Sequence, residues 1–479
     1  MAGDSIEDGI MSTDAMQAQV PQPLETRTLF PLPEVPASQA APPAPFGIPR
    51  VQRPDRYQRT LRTASLNELL EPDHRARVVW QYVEGLDLQA LYERIRAVEG
   101  RAGRDPIDPA ILLALWLYAT LDGVGSAREL DRLCEDHVAY QWICGGVSVN
   151  YHTLSDFRTA HAEFLEHLLT ESVAVLMHEG LVTLDRVAQD GVRVRANAGA
   201  SSFRRRQTLE ECQREAAEQV EALQKELEAD SSASTRRREA ARRRAAQERS
   251  ERIGRALEEL EGIEAKKKGQ RPKKKADGKG PDEKKGPRAS TTDPEARVMK
   301  MGDGGYRPAQ NVQFATDTAS QVITGVDVVN VGSDQGQMAP MVEQHRQRYG
   351  RAPGEMLVDG GFVKKEDIEE GAAAEPPVVV YAPPPKTKSK DRDVYTPRAD
   401  DSPPVAAWRQ RMGTAEGKAI YKERAATAEC VNAIARNRGL QRFLVRGLAK
   451  VRAVALWFAL AHNLVRAVAL RAAAAVQAG

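Results

Sequence analysis

The stretch VAQDGVRVRAN, residues 187–197, is the part of the chain on which both the fold and the site depend. The run from Leu184 to Gln189 predicts a strand that ends at Asp190 and continues into a glycine and a basic, polar turn. Because a rigid strand fixes the direction of a carboxylate, Asp190 is a candidate metal ligand. The alternative is that Asp190 only forms a turn, which is common for aspartate at strand ends.

Two later acids occur in comparable settings. Asp359 follows an apolar strand in EMLVDGGF, and Glu429 lies in the helical segment YKERAATAECVNAIAR. Carboxylate oxygens are the ligands that Mg²⁺ prefers. Two such ions roughly 3.5–4 Å apart can stabilise the attacking and leaving oxygens of a phosphoryl transfer. The three acids therefore predict a two-metal site.

Composition narrows the class of protein. The 479 residues carry a net charge of only +2, although 28% are charged, because the positive charge is concentrated in blocks. The four cysteines show no CxxC spacing, which argues against a zinc ribbon and a disulfide scaffold and fits a reducing compartment. No signal-peptide pattern is present, and the apolar segment 451–470 contains Arg452, His462 and Arg466, which predicts a buried helix. We expect a soluble, cytoplasmic protein with no membrane partner.

The first half of the chain predicts an arm followed by helices. Residues 1–58 are rich in proline, which disfavours helices and sheets and predicts a disordered arm. Residues 59–181 have helical periodicity, and Ser126 and Glu129 have the spacing of a capping box at a helix start. Two helices joined by a tight turn predict either a DNA-binding helix-turn-helix or an ordinary helical bundle.

The remainder predicts an α/β domain with an insertion. After the first strand (182–200), residues 203–290 predict a helical hairpin and a basic linker at 266–288, which is either a linker without a partner or a phosphate-binding segment. From 291 to 475, the runs NVQFATDT and QVITGVDVVN predict a hairpin. Strands and helices then alternate in the order β, β, β, α, β, α, β, α. This order is RNase H-like, with a five-stranded mixed sheet and flanking helices.

Several local motifs, taken together, resemble the DDE transposases of bacterial insertion sequences. These are QDGVRVRANAG, LVDGGFVKKEDIE and the long segment that begins RMGTAEGKAIYKERAATAECVNAIARNRGLQRF, and the resemblance spans roughly residues 60–470. It implies that Asp190, Asp359 and Glu429 form the DDE triad and bind two Mg²⁺ or Mn²⁺ ions. It further implies cleavage at the element's terminal inverted repeats, strand transfer into target DNA, and a homodimer in the synaptic complex at the bacterial nucleoid. The alternative is a non-catalytic DNA-binding regulator derived from a transposase.

The chain departs from the signature of the related enzymes around the last acid. That signature has Tyr, Arg, Glu and Lys. Here Tyr421, Arg424 and Glu429 are present, but four residues rather than three separate Arg424 from Glu429, and Arg436 replaces the lysine. On a regular α-helix Arg424 would point away from the stripe that contains Glu429. Glu423 is a rival third acid, about 120° around the helix from Glu429.

Basic and amide side chains near the three acids are candidate DNA ligands. On a 3.6-residue helix, positions 422, 429, 432 and 436 share one face, so phosphate-binding groups would flank the metal ligand. The candidate DNA-binding residues are Arg193, Arg195, Asn197, Lys422, Arg424, Asn432 and Arg436.

Overall fold

The computed structural model describes residues 63–97, 105–229, 233–269, 286–385 and 393–478. The arm predicted at 1–58 and most of the basic linker predicted at 266–288 lie outside the described residues. From Ala64 onward the chain forms one compact unit.

Within the described residues, seven α-helices precede the sheet. They are α1 (Arg75–Glu84), α2 (Gln89–Tyr92), α3 (Pro109–Leu121), α4 (Ala127–Asp136), α5 (Val138–Cys144), α6 (Tyr151–Ala160) and α7 (Ala162–His178). Helix α3 begins at a proline, as predicted, and the Asp108 carboxylate accepts a hydrogen bond from the Ala110 amide at 2.8 Å. Every residue of α3 except Ala110 is buried, because α3 forms the centre of this helical region. The Ser126 hydroxyl accepts from the Glu129 amide at 3.4 Å, which confirms the predicted start of α4.

The central sheet has the predicted RNase H-like order. Its strands are β1 (Arg186–Arg195), β4 (Arg297–Lys300), β5 (Tyr306–Asp317), β6 (Ile323–Val329), β7 (Glu355–Leu357) and β8 (Val379–Tyr381). β5 is antiparallel to β1 and to β6, whereas β7 and β8 run parallel to β1. β4 and β6 pair with successive parts of one edge of β5, so the sheet is five strands wide and β4 is a short addition to the predicted five.

Strand β1 is longer than predicted. The prediction that it ends at Asp190 was wrong, because β1 continues to Arg195 and pairs with β5 along its length. Asp190 therefore lies in the middle of the strand, opposite Phe314. Gly191 does not end the strand. It leaves space on the other face, where an added Cβ would overlap the side chains of Asp334 and Gln313.

The insertion between β1 and β5 contains the predicted helical hairpin. Its main elements are β2 (Phe203–Arg204), α8 (Arg206–Ala229), α9 (Ala233–Gly269) and β3 (Ala289–Ser290). Arg206 at the start of α8 pairs with Glu264 near the end of α9 at 2.9 Å, so the two helices are antiparallel. Leu209, Ala256 and Leu260 form a small separate core in this hairpin.

The remaining helices cover the sheet and join it to the first half of the chain. They are α10 (Met338–Tyr349), α11 (Lys365–Ala373), α12 (Pro403–Gly413), α13 (Ala415–Arg424), a π-helical turn (Ala425–Glu429), α14 (Cys430–Asn437) and α15 (Leu448–Ala478). Helix α15 packs against α3, α6, α7 and β6, and the Trp457 indole donates to the Arg158 carbonyl at 2.9 Å. One hydrophobic core therefore joins the first helices to the sheet.

Helix α15 confirms the predicted buried apolar helix. Among the described residues it alone is long and apolar enough to cross a membrane. Two-thirds of its most apolar window (67%) is buried within the fold, as in the core helix of a soluble protein.

Candidate active site

Asp190 lies on β1, and Asp359 lies two residues past the end of β7, the adjacent parallel strand. β7 pairs with β1 with Leu357 opposite Ala188. Continuing this register by two residues brings Asp359, just beyond β7, level with Asp190. Adjacent strands are about 4.8 Å apart, so the two carboxylates belong to one site. The Gly361 amide donates to the Asp359 carboxylate at 2.7 Å and fixes its orientation.

The guanidinium of Arg424 joins Asp190 to Glu429. Its Nη2 lies 2.9 Å from Asp190 Oδ1, and its Nη1 lies 3.1 Å from Glu429 Oε1. The Arg424 side chain is 9% exposed and that of Asp190 is 18% exposed, whereas that of Glu429 is 60% exposed. The site is therefore a buried arginine–aspartate pair with an accessible glutamate at its edge.

The π-helical turn explains why Arg424 faces the acids. An α-helix advances about 100° per residue, so residues five apart point in different directions. Residues Ala425–Glu429 instead form a π turn, which widens the helix by one residue and aligns positions five apart. The extra residue between Arg424 and Glu429 is absorbed in this turn. The prediction that Arg424 would point away from Glu429 was wrong, because it assumed a regular α-helix.

Burial and neighbouring charges perturb the groups of this site. Burial raises the pKa of the Asp190 carboxyl; Arg424 opposes this effect, and repulsion from Asp359 adds to it. Burial lowers the pKa of Arg424, but attraction to Asp190, Asp359 and Glu429 is stronger, so its net pKa is raised. Burial also raises the pKa of the Tyr421 hydroxyl. The Arg424 guanidinium therefore stays positively charged and neutralises part of the negative charge of the neighbouring carboxylates.

The other candidate residues fall into two groups. The Asn432 amide donates to Asp190 Oδ2 at 3.0 Å, and the Asn197 amide donates to the Leu444 carbonyl at 3.0 Å. Arg193 pairs with Asp334 at 3.1 Å. These three side chains are already engaged in the fold. The second group is exposed and consists of Arg195, Lys422 and Arg436.

The rival third acid is used elsewhere. Both carboxylate oxygens of Glu423 accept hydrogen bonds from Arg186, at 2.7 and 2.8 Å. Arg186 also pairs with Glu355 at 2.5 Å, at the beginning of β1 and β7. Glu423 is therefore held at the opposite end of β1 from the segment that follows Asp190.

A buried polar layer lies behind Asp190 and was not predicted from the sequence. Side chains alternate across a sheet, so Gln189, Gln313 and Asn311 lie on the face opposite Asp190. Gln189 donates to Gln313 at 3.1 Å, and Asn311 and Gln313 donate to one oxygen of Asp334 at 2.6 and 2.8 Å. The sequence feature that could have predicted this layer is the alternation of polar residues along β1 and β5. This layer links β1, β5 and Asp334 through side-chain hydrogen bonds on the face of the sheet behind Asp190.

The donors of the site fit a hard divalent cation. Asp190, Asp359 and Glu429 offer only carboxylate oxygens, which Mg²⁺ and Mn²⁺ prefer. Among the residues that the structure describes, no three acidic, histidine or cysteine side chains are close enough to hold one metal ion. Arg424 lies instead between two of the carboxylates. Its position indicates that these oxygens converge on positive charge.

Comparisons with protein families agree with the geometry. Residues 64–160 match the family model described as "Transposase domain (DUF772)", and residues 386–468 match "Transposase DDE domain". The second match contains Arg424, the π-helical turn and Glu429. Searches of curated proteins and of solved structures gave no match.

The chain is therefore a transposase with an RNase H-like fold. The two matches support a DDE transposase of an insertion sequence. The two family matches leave Asp190 and Asp359 uncovered, so their assignment depends on the sheet geometry alone.

Proposed function

We propose that this transposase cuts DNA at the ends of its element and joins the cut strand to target DNA, with Asp190, Asp359 and Glu429 as the catalytic triad. The observation that carries the proposal is the pairing of one guanidinium, that of Arg424, with both Asp190 and Glu429. Asp359 follows β7, two residues beyond the last residue that pairs with β1, and its charge acts on Asp190.

The roles of the side chains follow from their contacts. The three carboxylates would hold two divalent cations, Mg²⁺ or Mn²⁺, which supply charge neutralisation at the phosphate and a more acidic nucleophile when bound. Asn432 and the Gly191 amide orient Asp190, because they donate to its two different oxygens at 3.0 Å each. Arg424 balances the charge of Asp190 and Glu429 before DNA and cations arrive.

The partners are DNA and a second copy of the chain. We infer that the terminal inverted repeats and the target DNA approach the accessible side of Glu429, the helix face on which Arg436 is also exposed. The π turn rotates Lys422 away from this face, because it aligns Arg424, two residues later, with Glu429. We further infer that two copies act together in a synaptic complex at the nucleoid, in the bacterial cytoplasm.

Cleavage of end-bearing DNA tests the proposal. Labelled duplexes that contain the DNA flanking the reading frame are incubated with Mg²⁺ and each of Asp190→Asn, Asp359→Asn and Glu429→Gln. Each variant should bind the duplex as the parent does and fail to cut it. Glu423→Gln is the matched control, because it removes a nearby acid that pairs with Arg186, and it should still cut.

Two outcomes contradict the assignment. Normal cutting by Glu429→Gln would remove Glu429 from the triad, particularly if Glu423→Gln were inactive. Sequence-specific binding of the flanking DNA by the parent without any cutting, in Mg²⁺ or Mn²⁺, would support a regulator that binds DNA without catalysis.

A further inference from the structure

A cavity of about 370 Å³ lies between the first helices and the segment after α14. One side is formed by the turn before α4, with Gly123, Gly125 and Ser126, and the other by residues 438–444. Ligand sites in proteins commonly have volumes of about 300–1,000 Å³, so this cavity is large enough for a small group. It is separate from Asp190, Asp359 and Glu429, none of which lines it.

Two glycines bring the walls of this cavity together. Gly123 and Gly439 have φ angles of +77° and +89°, which favour glycine. A Cβ at Gly439 would lie only 3.1 Å from the Gly123 carbonyl oxygen. Since the two turns meet backbone to backbone, the cavity is a built feature of the joint between the two matched regions of the chain.

The cavity contains a buried arginine that pairs with no acid in the described part of the chain. The Arg158 side chain lines it, and the residue is only 7% exposed. The guanidinium stacks over the Trp116 ring at 4.5 Å and donates to the Gly125 carbonyl, but its Nε has no partner. Burial lowers the pKa of Arg158 to about 10. A buried cation without a counter-charge is costly, so this arrangement favours an anion.

More positive charge surrounds Arg158. Arg438 also lines the cavity and is partly buried, and burial lowers its pKa too. Arg442 lines the exposed rim. Neither Arg158 nor Arg438 nor Arg442 forms an ion pair with any residue that the structure describes. The acid lining the cavity is Glu129, which is exposed and belongs to the first turn of α4. The cavity therefore has an excess of positive charge.

The cavity is connected to the candidate active site by two elements. Helix α14 leads from Asn432, which contacts Asp190, to Arg438, the residue that follows its last turn, a rise of roughly 9 Å over six residues. Strand β1 runs from Asp190 to Arg195, roughly 17 Å away, where its backbone bonds to Gln441 and Phe443. With a rise of about 3.4 Å per nucleotide along a DNA strand, these paths correspond to roughly three to five nucleotides.

We propose that Arg158, Arg438 and Arg442 form a phosphate-binding cavity that holds a backbone phosphate of the DNA a few nucleotides from the bond that is cut. The choice of DNA as the source of the phosphate rests on the proposed function; the presence of an oxyanion site does not. Guanidinium groups bind phosphate through paired, charge-assisted hydrogen bonds. Arg158 lines the cavity and would supply one of these guanidinium groups.

The first experiment measures anion binding without DNA or a divalent cation. The full chain is heated in inorganic phosphate or in chloride of equal ionic strength. Phosphate should raise the Tm of the parent in a concentration-dependent manner, because a ligand of the folded state stabilises it. Arg438→Gln and Arg158→Gln should lose this increase. Arg346→Gln should keep it, because Arg346 is a partly exposed arginine on α10, on the opposite face of the sheet. An equal increase in the parent and in folded Arg438→Gln overturns the site.

The second experiment identifies the source of the phosphate. Affinity for a short fluorescent duplex is measured over a series of salt concentrations in the absence of divalent cations. Each lost phosphate contact lowers the slope of log affinity against log salt by about 0.9. Arg438→Gln and Arg442→Gln should each show such a decrease, and Arg346→Gln should not. An unchanged slope together with lost phosphate protection overturns DNA as the source and leaves a free anion. This measurement does not depend on cleavage, so it tests the phosphate site even if the proposed cleavage activity is wrong.

Discussion

Replacement of Arg424 by glutamine separates its two roles, as a structural partner of Asp190 and as a cation in the place where metal ions are expected. The substitution removes the charge and keeps much of the length of the side chain. Asp190 is 18% exposed, and it would then lack its only cationic partner among the described residues. The remaining donors to Asp190 are the Asn432 amide and the Gly191 amide.

The expected cost follows from burial. A hydrogen bond to a charged group contributes about 1.5–3 kcal/mol, and breaking a fully buried ion pair costs about 3–5 kcal/mol. The Asp190 pair is buried but close to solvent, and the exposed Glu429 contributes little. We expect Arg424→Gln to lower the free energy of unfolding by about 2–3 kcal/mol at neutral pH. The loss should shrink at acidic pH, because a protonated Asp190 does not attract the guanidinium.

Divalent cations should reverse much of this loss. In the parent, Mg²⁺ competes with the guanidinium of Arg424 for Asp190 and Glu429, whereas in Arg424→Gln the carboxylates are free. Each tenfold gain in Mg²⁺ affinity corresponds to about 1.4 kcal/mol of additional stabilisation at saturating concentrations. Urea unfolding with and without Mg²⁺ measures both effects, without any assay of cleavage.

Arg409→Gln is the matched control. Arg409 is also buried, and it pairs with Asp401 at 2.6 Å, in a cluster with Lys365 rather than with the three acids. This variant should lose stability, but Mg²⁺ should not restore it. If Mg²⁺ stabilises Arg424→Gln no more than it stabilises the parent, Arg424 does not occupy the position of a cation and the reasoning fails.

Two further predictions concern the π-helical turn and the buried histidine of α10. Deletion of Ala425, which is exposed, should convert the turn into α-helix and leave Arg424 and Glu429 four positions apart on one face, so Mg²⁺-dependent cleavage should persist. Insertion of a second alanine at this position should abolish cleavage. Equal cleavage by the two variants would refute the role of the turn. Burial lowers the pKa of His345 from 6.5 to about 4, and its neutral ring donates through Nδ1 to a carbonyl and accepts from Thr324 at 2.8 Å. Since the unfolded chain binds this proton more readily, stability should fall by about 3 kcal/mol as the pH drops from 6.5 to 4, and His345→Gln should reduce this fall in urea titrations.

The order of the elements could be predicted because each signal was local. The runs NVQFATDT and QVITGVDVVN are rich in strand-forming residues and are separated by Ala319 and Ser320, and the structure pairs them as β5 and β6. The helical hairpin was equally visible, because its leucines recur at helical spacing. The order of such segments can therefore be predicted without knowing which distant residues are in contact.

The extent of β1 could not be predicted from its own residues. Gly191 and the basic residues after it are typical of a turn, yet the strand continues because β5 offers a partner as far as Arg195. The glycine is required by the opposite face, where Asp334, Gln313 and Asn311 occupy the space of a side chain. A contact between residues more than 120 positions apart therefore decides what looks like a local turn signal.

The π-helical turn shows why counting residues around the last acid gave the wrong face for Arg424. A helix keeps its α-helical register unless contacts with other parts of the protein favour a different register. Here Asp190 attracts the guanidinium from one side, Glu429 is five positions further along, and both contacts form only if the helix takes up one extra residue. The ion pair with a buried carboxylate outweighs the weaker hydrogen bonds of a single wide turn. In this chain the π turn therefore keeps the arginine directed at both acids, although one more residue separates Arg424 from Glu429 than in the signature.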